Sequence, residues 1–233
     1  MHGVNFRGDW TPQSFTATHG NLPVTLVGHG KGRSRRVSLA EFFHEFDIPP
    51  RDNFQTVFSS RDRDFQQNIP MSFMTGRRGW LNLYSHYPED TCKTYSSLKP
   101  DLGPKLYIAT QDVFNEGSTA LHVDATAAVN VLVYAAPDVN GNVGGARWLL
   151  WRKDDVPILK KVIQACFPDL QEDPIQCRHI FIDSLLEQQL AAQGARPFVV
   201  IQRVGDVIFI PAGVPHQVSL CEAHDDDMAA ERL

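Results

Sequence analysis

Two short segments, whose histidines lie 94 positions apart, constrain the fold of this chain more than any other feature. The first, residues 121–124, is a strand-like run that carries His122 and Asp124. The second, residues 205–218, reads as a Gly-Asp turn, an apolar strand, a Pro-Ala-Gly turn and then His216. Two imidazoles and one carboxylate are the ligand set that holds non-heme Fe(II) and leaves coordination positions open. An iron-dependent oxygenase of this kind requires a fold that brings the two segments together.

The strand context of the first segment carries more weight than its His-x-Asp spacing. His122 and Asp124 stand at i and i+2 of a strand, so their side chains share one face. The same spacing recurs at His224 and Asp226, but there it lies in an acidic run that reads as a solvated surface. A buried His–Asp pair or an exposed strand face at 122–124 stays open as an alternative. For His216 the alternative is a core histidine beside a turn.

The pattern of short strands predicts a mostly β fold with flanking helices, arranged as a double-stranded β-helix of the cupin-like jelly-roll kind. Apolar alternation predicts strands at 105–109, 120–124, 129–135, 147–151, 197–203, 206–210 and 215–220. Helices are predicted after the capping box of Ser38 and Glu41, at 155–167, and from Asp183 to Gly194. We expect a single domain over 1–233, with its core at about 10–220 and an acidic tail at 221–233.

Charge and cysteine content exclude several classes of function. A formal net charge of −5 gives no overall attraction to nucleic acid or to a membrane surface. No run of about 18 apolar residues could span a bilayer. The four cysteines form no CxxC pair, which argues against a zinc ribbon and favours free thiols in a reducing compartment. We therefore expect no membrane partner and no sequence-specific nucleic-acid binding within this chain.

A set of ordered motifs covering residues 10 to 220 resembles the JmjC domain of the 2-oxoglutarate oxygenases. The likeness is greatest to the group that demethylates lysine 9 of histone H3 and includes the hairless protein. PAGVPHQV at 211–218 is the most specific stretch. The others are RRVSLAEFF (35–43), PDLGPKLY (100–107), STALHVD (118–124), AVNVLVY (128–134), GGARW (144–148) and GDVIFIPAG (205–213).

The resemblance implies a role for individual residues. It makes His122, Asp124 and His216 the ligands of Fe(II), with 2-oxoglutarate and O₂ as cosubstrates. Thr119 matches a threonine that bonds the distal carboxylate of 2-oxoglutarate, Asn130 an asparagine that faces the cosubstrate, and Tyr107 a polar position near it. No lysine aligns with the one that pairs this carboxylate in many JmjC enzymes. Arg147 and Lys153 are the candidates for that role, and solvent-facing positions are the alternative.

The activity implied by the resemblance is oxidative demethylation of mono- and dimethylated lysine 9 on histone H3. Implied with it are a nuclear location, a histone H3 tail as substrate, and chromatin and transcription-regulatory proteins as partners. Loops within 61–97 are our candidate for the tail-binding surface. The family domain continues beyond its distal histidine, so with 17 residues after His216 we expect part of it to be missing. A JmjC protein hydroxylase and a catalytically impaired chromatin scaffold are the alternatives. A zinc-bound cupin is disfavoured, because structural zinc takes four ligands and three are found.

Overall fold

The computed structural model describes residues 9–28, 34–46, 54–58, 106–109, 119–137, 141 and 143–221. For 26–28, 34, 45–46, 54–58, 106–109 and 221 it describes the backbone alone. The chain divides into two compact units, one of Met1–Gln55 with Ala109–Leu233 and one of Thr56–Ile108. The single domain over 1–233 therefore stays a prediction. The second His-x-Asp motif, most of the acidic tail and the 61–97 surface lie outside the described residues.

The N-terminal part of the larger unit consists of two short helices and a strand pair. Helix α1 is Pro12–His19, strand β1 is Pro23–Gly28, strand β2 is Ser34–Ser38 and helix α2 is Leu39–Phe46. The two strands pair antiparallel. The predicted capping box is confirmed, since the Glu41 amide donates to Ser38 Oγ at 3.1 Å and the Ser38 amide to Glu41 Oε2 at 2.7 Å. Leu39 and Phe42 of α2 are buried.

Two antiparallel sheets form the C-terminal part of the larger unit. Their strands are β5 Thr119–His122, β6 Ala128–Val131, β7 Gly145–Leu150, β8 Phe198–Gln202, β9 Val207–Ile210 and β10 His216–Cys221. One sheet has the order β5-β10-β7-β8, and the other pairs β6 with β9. The six strands predicted for this part are confirmed, although the one expected at 129–135 ends earlier, at Val131.

Two helices cover one face of the four-stranded sheet. Helix α3 is Val156–Cys166 and helix α4 is Ser184–Ala192. The Asp183 carboxylate caps α4 by accepting from the Leu186 amide at 2.8 Å, as its sequence predicted. The apolar core between sheet and helices contains Leu121, Leu149, Trp151, Leu159, Ile163, Ile175, Ile180, Ile182, Leu186 and Leu190.

The opposite face of the four-stranded sheet packs against the β6–β9 pair. Ala146 and Trp148 of β7 are buried there with Ile210 of β9, and Val218 of β10 packs against them. The sheet thus carries buried apolar side chains on both of its faces. Antiparallel sheets with flanking helices are the observed architecture.

Strands β3, Phe54–Phe58, and β4, Leu106–Ala109, are neighbours in a sheet. Tyr107 lies on β4 as predicted, but its side chain falls outside the described part of the chain. Among the described residues, no helix has the length and apolar character needed to cross a membrane.

Candidate metal centre

The two histidines of the candidate site stand directly opposite each other on paired strands. His122 ends β5, His216 opens β10, and the two are Cα partners in the antiparallel ladder. Side chains of directly opposed residues project from the same face of a sheet. Their imidazole centroids lie 4.2 Å apart with the ring planes at 52°. The strands therefore bring together two residues that are distant in sequence, as the site requires.

A β-bulge in β5 brings Thr119 to the same face as His122. The register shifts between His216, which faces His122, and Val218, which faces Thr119, so β5 holds one extra residue. Leu121 falls within this irregular stretch: its amide donates to the Ile180 carbonyl at 2.9 Å, and its side chain is fully buried on the helix side. Strict alternation would have placed Thr119 on the opposite face from His122. The bulge instead puts the threonine on the metal-facing side.

Both imidazoles are held in the same tautomer by backbone carbonyls. His122 Nδ1 lies 2.9 Å from the Ala120 carbonyl oxygen, and His216 Nδ1 lies 2.9 Å from that of Val214. A carbonyl oxygen only accepts, so Nδ1 carries the proton in each ring. Each Nε2 consequently presents a lone pair, which is the form that binds a metal.

Asp124 supplies the third donor. Its Oδ2 lies 3.9 Å from Nε2 of His122 and 3.8 Å from Nε2 of His216. The Asp124 carbonyl accepts from the Gly213 amide at 2.8 Å, which ties the first segment to the turn that presents His216. Gly213 has φ +73°, a conformation that strains residues with a Cβ, so the glycine of the Pro-Ala-Gly turn is needed there.

Burial favours the neutral state of His122. His216 is 3% exposed. Burial lowers the pKa of His122 below its ordinary value, and the neighbouring His216 lowers it further. Protons therefore compete less with a metal ion for the His122 lone pair than they do at an exposed histidine.

The donor set fits a first-row metal ion. Cis ligands about 2.1 Å from one ion lie about 3.0 Å apart, so Asp124 Oδ2, at 3.9 and 3.8 Å from the two Nε2 atoms, needs to move by about 1 Å to complete the site. Three protein donors leave further coordination positions for other ligands, as in the facial triad. A second group of potential ligands, Glu172, Cys177 and His179, also lies close together. Its Glu172 and His179 side chains are 59% and 56% exposed, so it is the less enclosed of the two.

The chain is similar in sequence to lysine-specific demethylases, although no family model matches it. It is 32% identical over 272 aligned residues to lysine-specific demethylase 3A of Gallus gallus, covering 90% of this chain and 20% of the relative. It is 29% identical to lysine-specific demethylase 3 of Drosophila melanogaster, in an alignment that covers 90% of this chain and 31% of the relative. It is 27% identical to lysine-specific demethylase JMJ26 of Arabidopsis thaliana, in an alignment that covers 85% of this chain and 29% of the relative. This chain belongs to the JmjC family. It spans about a fifth to a third of the length of these relatives.

Asn130, the asparagine expected to face the cosubstrate in a JmjC protein, is linked to the metal-facing side of the sheet. Gln202 Nε2 donates to Asn130 Oδ1 at 3.1 Å, and Trp148 Nε1 donates to Gln202 Oε1 at 2.9 Å. The Trp148 ring stacks against His216 with centroids 6.0 Å apart and planes at 21°. Sequence reasoning missed Gln202 and Trp148. The available signal was Gln202 itself, a polar residue ending the apolar strand β8.

Of the two basic candidates, Arg147 is not brought to the cluster of His122, Asp124 and His216. His216 faces Leu150 across the ladder, and Arg147 lies three positions from Leu150, so it projects from the other face. There its Nη2 pairs with Glu187 Oε2 of α4 at 3.2 Å. Its position gives no support to a role beside His216.

Lys153 is the better placed of the two basic candidates in this JmjC chain. Lys153 Nζ lies 3.8 Å from the position that a Cβ of Gly213 would occupy. The ammonium group is therefore close to the turn whose Gly213 amide donates to the Asp124 carbonyl.

Two further residues that sequence reasoning missed hold the candidate site from outside the triad. Gln217 follows His216 and projects to the opposite face, where its amide accepts from the Ile182 amide at 2.7 Å and donates to the Ile182 carbonyl at 2.9 Å. Arg178 donates to Asp124 Oδ1 at 3.2 Å. Alternation along β10 could have indicated the direction of Gln217. No local pattern signals Arg178, since it lies 54 positions from its partner.

Proposed function

We propose that this chain is the catalytic part of an Fe(II)- and 2-oxoglutarate-dependent demethylase that acts on methylated lysine of histone H3. Mono- and dimethylated lysine 9 are the substrates that we assign to it. One observation carries the proposal. In a chain similar to lysine-specific demethylases over 90% of its length, Asp124 Oδ2 lies 3.9 Å from His122 Nε2 and 3.8 Å from His216 Nε2.

The fold that we propose is a double-stranded β-helix. The packing of β7 and β10 against β9 supports it, because the apolar cluster of Ala146, Trp148 and Ile210 fills the space between two antiparallel sheets. In such a jelly roll the inner faces of both sheets enclose the site. His216, Trp148 and Gln202 share the face that is turned toward the second sheet.

In the proposed mechanism, His122, Asp124 and His216 hold Fe(II) on one side. Bound iron would let O₂ oxidise two partners, 2-oxoglutarate to succinate and CO₂, and the N-methyl group, which is released as formaldehyde. The chain's own part is positional. Carbonyls of Ala120 and Val214 fix the imidazole tautomers, and the stacked Trp148 ring shields His216 from water.

We assign the cosubstrate to the space between the two sheets, with Thr119 on β5, Asn130 on β6 and Lys153 as the cation for a carboxylate. The bulge that turns Thr119 toward His122 supports the first assignment. The Gln202 bond supports the second, since it fixes the orientation of the Asn130 amide. Tyr107 retains its proposed role on β4, whereas Arg147 is left out because Glu187 pairs it on the helix side.

The partners that we propose are the histone H3 tail and chromatin and transcription-regulatory proteins, and the proposed location is the nucleus. The net charge of −5 suits a basic tail, since complementary charge speeds encounter and selects partners.

The experiment that tests this function measures formaldehyde release from a dimethyl-lysine-9 H3 peptide in the presence of Fe(II), 2-oxoglutarate and O₂. We expect one formaldehyde for each methyl group that the peptide loses with the unsubstituted chain, and no formaldehyde or demethylated peptide with His122→Ala. Glu172→Ala, which alters the exposed second cluster, should retain the activity of the unsubstituted chain. Peptide that gains oxygen without formaldehyde release would identify a hydroxylase instead. A folded chain that consumes no 2-oxoglutarate with any peptide would identify a scaffold.

A further inference from the structure

We propose that Arg178 is a positioning residue for the metal ligand Asp124, an inference that rests on the metal centre of the proposed function. Its Nη2 donates to Asp124 Oδ1 at 3.2 Å and to the Val123 carbonyl at 3.4 Å. The other carboxylate oxygen, Oδ2, is the one that faces both histidines. The two oxygens of Asp124 are thus divided between the guanidinium and the metal.

The backbone conformation of Arg178 supports a specific role for its contact with Asp124. Its φ is +55°, and among the described residues it is the single non-glycine residue with positive φ. The left-handed region is unfavourable for a long side chain, and such conformations persist where the surrounding structure imposes them. Here the left-handed residue directs a guanidinium at a metal ligand.

The segment that carries Arg178 is anchored on its C-terminal side. The Ile180 carbonyl accepts from the Leu121 amide at 2.9 Å, and both backbone groups of Ile182 bond the buried Gln217 amide. Ile175, Ile180 and Ile182 are buried in the core between sheet and helices. These contacts fix the backbone near Arg178 relative to β5 and β10, the strands that hold the two histidines. The guanidinium therefore extends to Asp124 from a backbone segment that is held in place.

The orientation that Arg178 gives to Asp124 and the positive charge of Arg178 have opposite effects on metal affinity. A guanidinium near the site repels a cation, whereas holding Oδ1 prevents the carboxylate from rotating away from the histidines. The Arg178 side chain is 59% exposed, so solvent screens its charge. Hydrogen-bond partners of metal ligands typically contribute 10- to 100-fold to metal affinity. We therefore expect orientation to dominate.

The test compares Co(II) binding by the unsubstituted chain, Arg178→Asn and Arg178→Lys, by anaerobic calorimetry and by the visible spectrum of Co(II). In this test the unsubstituted chain is a reference that carries Cys177→Ser, as do all its variants, because this change removes the thiol of the second cluster. Asparagine tolerates the left-handed backbone but is too short to hold Asp124. We expect about 10-fold weaker binding for Arg178→Asn and a changed visible spectrum, with no decrease in thermal unfolding temperature. Arg178→Lys should bind with intermediate affinity, because its ammonium group can still donate to Asp124 but lacks the fixed planar geometry of the guanidinium.

The matched control is Arg196→Asn, which makes the same charge change at an exposed position preceding β8. We expect its Co(II) affinity and spectrum to equal those of the unsubstituted chain. If Arg178→Asn binds Co(II) as tightly as the unsubstituted chain or more tightly, the positioning role is overturned and the metal centre is not. The same holds if its binding is weaker but its unfolding temperature has also fallen. If the unsubstituted chain binds no Co(II), then the proposed metal centre is overturned and the role of Arg178 with it.

Discussion

Replacing Asp124 by alanine is expected to reduce metal affinity by more than about 100-fold and to abolish formaldehyde release. Asp124 is the one anionic donor of the cluster, so its loss removes both a ligand and the charge that attracts the cation. This effect should exceed the 10- to 100-fold losses seen when a partner of a ligand is removed. Calorimetric titration with Co(II) and the peptide assay would measure the two effects.

Stability should respond much less than binding does to this substitution. The Asp124–Arg178 pair is partly exposed, with side chains 34% and 59% accessible, and exposed pairs contribute about 0–1 kcal/mol. Asp169→Ala, at an exposed carboxylate in the loop after α3, is the control for the change in charge. Asp124→Ala protein that binds Co(II) within about threefold of the unsubstituted chain would show that the carboxylate is not a ligand.

Replacing Gln217 by methionine is expected to lower the free energy of unfolding by about 2–6 kcal/mol. Gln217 is 1% exposed, and its amide satisfies both the N–H and the C=O of Ile182. Methionine has a similar size but cannot make either bond, and each buried polar group left unpaired costs about 1–3 kcal/mol. Urea unfolding followed by circular dichroism would measure the loss.

Gln164→Met is the matched control for this loss. Gln164 lies on the exposed side of α3, where its amide donates to the Leu170 carbonyl at 3.0 Å. Surface substitutions of this kind usually change stability by less than about 0.5 kcal/mol. A loss for Gln217→Met no greater than that of the control would mean that the Ile182 contacts do not stabilise the fold.

Sequence patterns predicted the features that depend on local chemistry. Alternation placed the strands around His122 and His216, and capping chemistry placed the starts of α2 and α4 at Ser38 and Asp183. The pairing of the two histidines followed from the requirement that their segments meet. These features depend on residues within a few positions of each other or on the requirement that the ligands of one site meet.

The features that sequence could not predict depend on long-range geometry. Alternation gives two faces for β7 but not which face a helix covers, so Arg147 was assigned to the cosubstrate although Glu187 of α4 pairs it. The bulge before His122 arises because the Ile180 carbonyl takes the Leu121 amide out of the ladder. Arg178 reaches Asp124 because contacts of Ile180 with Leu121 and of Ile182 with Gln217 hold its segment in place. No local pattern contains these contacts.

The central claim is that His122, Asp124 and His216 bind one Fe(II) together with 2-oxoglutarate. Anaerobic titration of the chain with both, followed by the weak visible charge-transfer band of the complex, tests it most directly. We expect a band that saturates at one iron per chain and is absent from His122→Ala. No band from the folded, unsubstituted chain, or an equal band from His122→Ala, would contradict the claim.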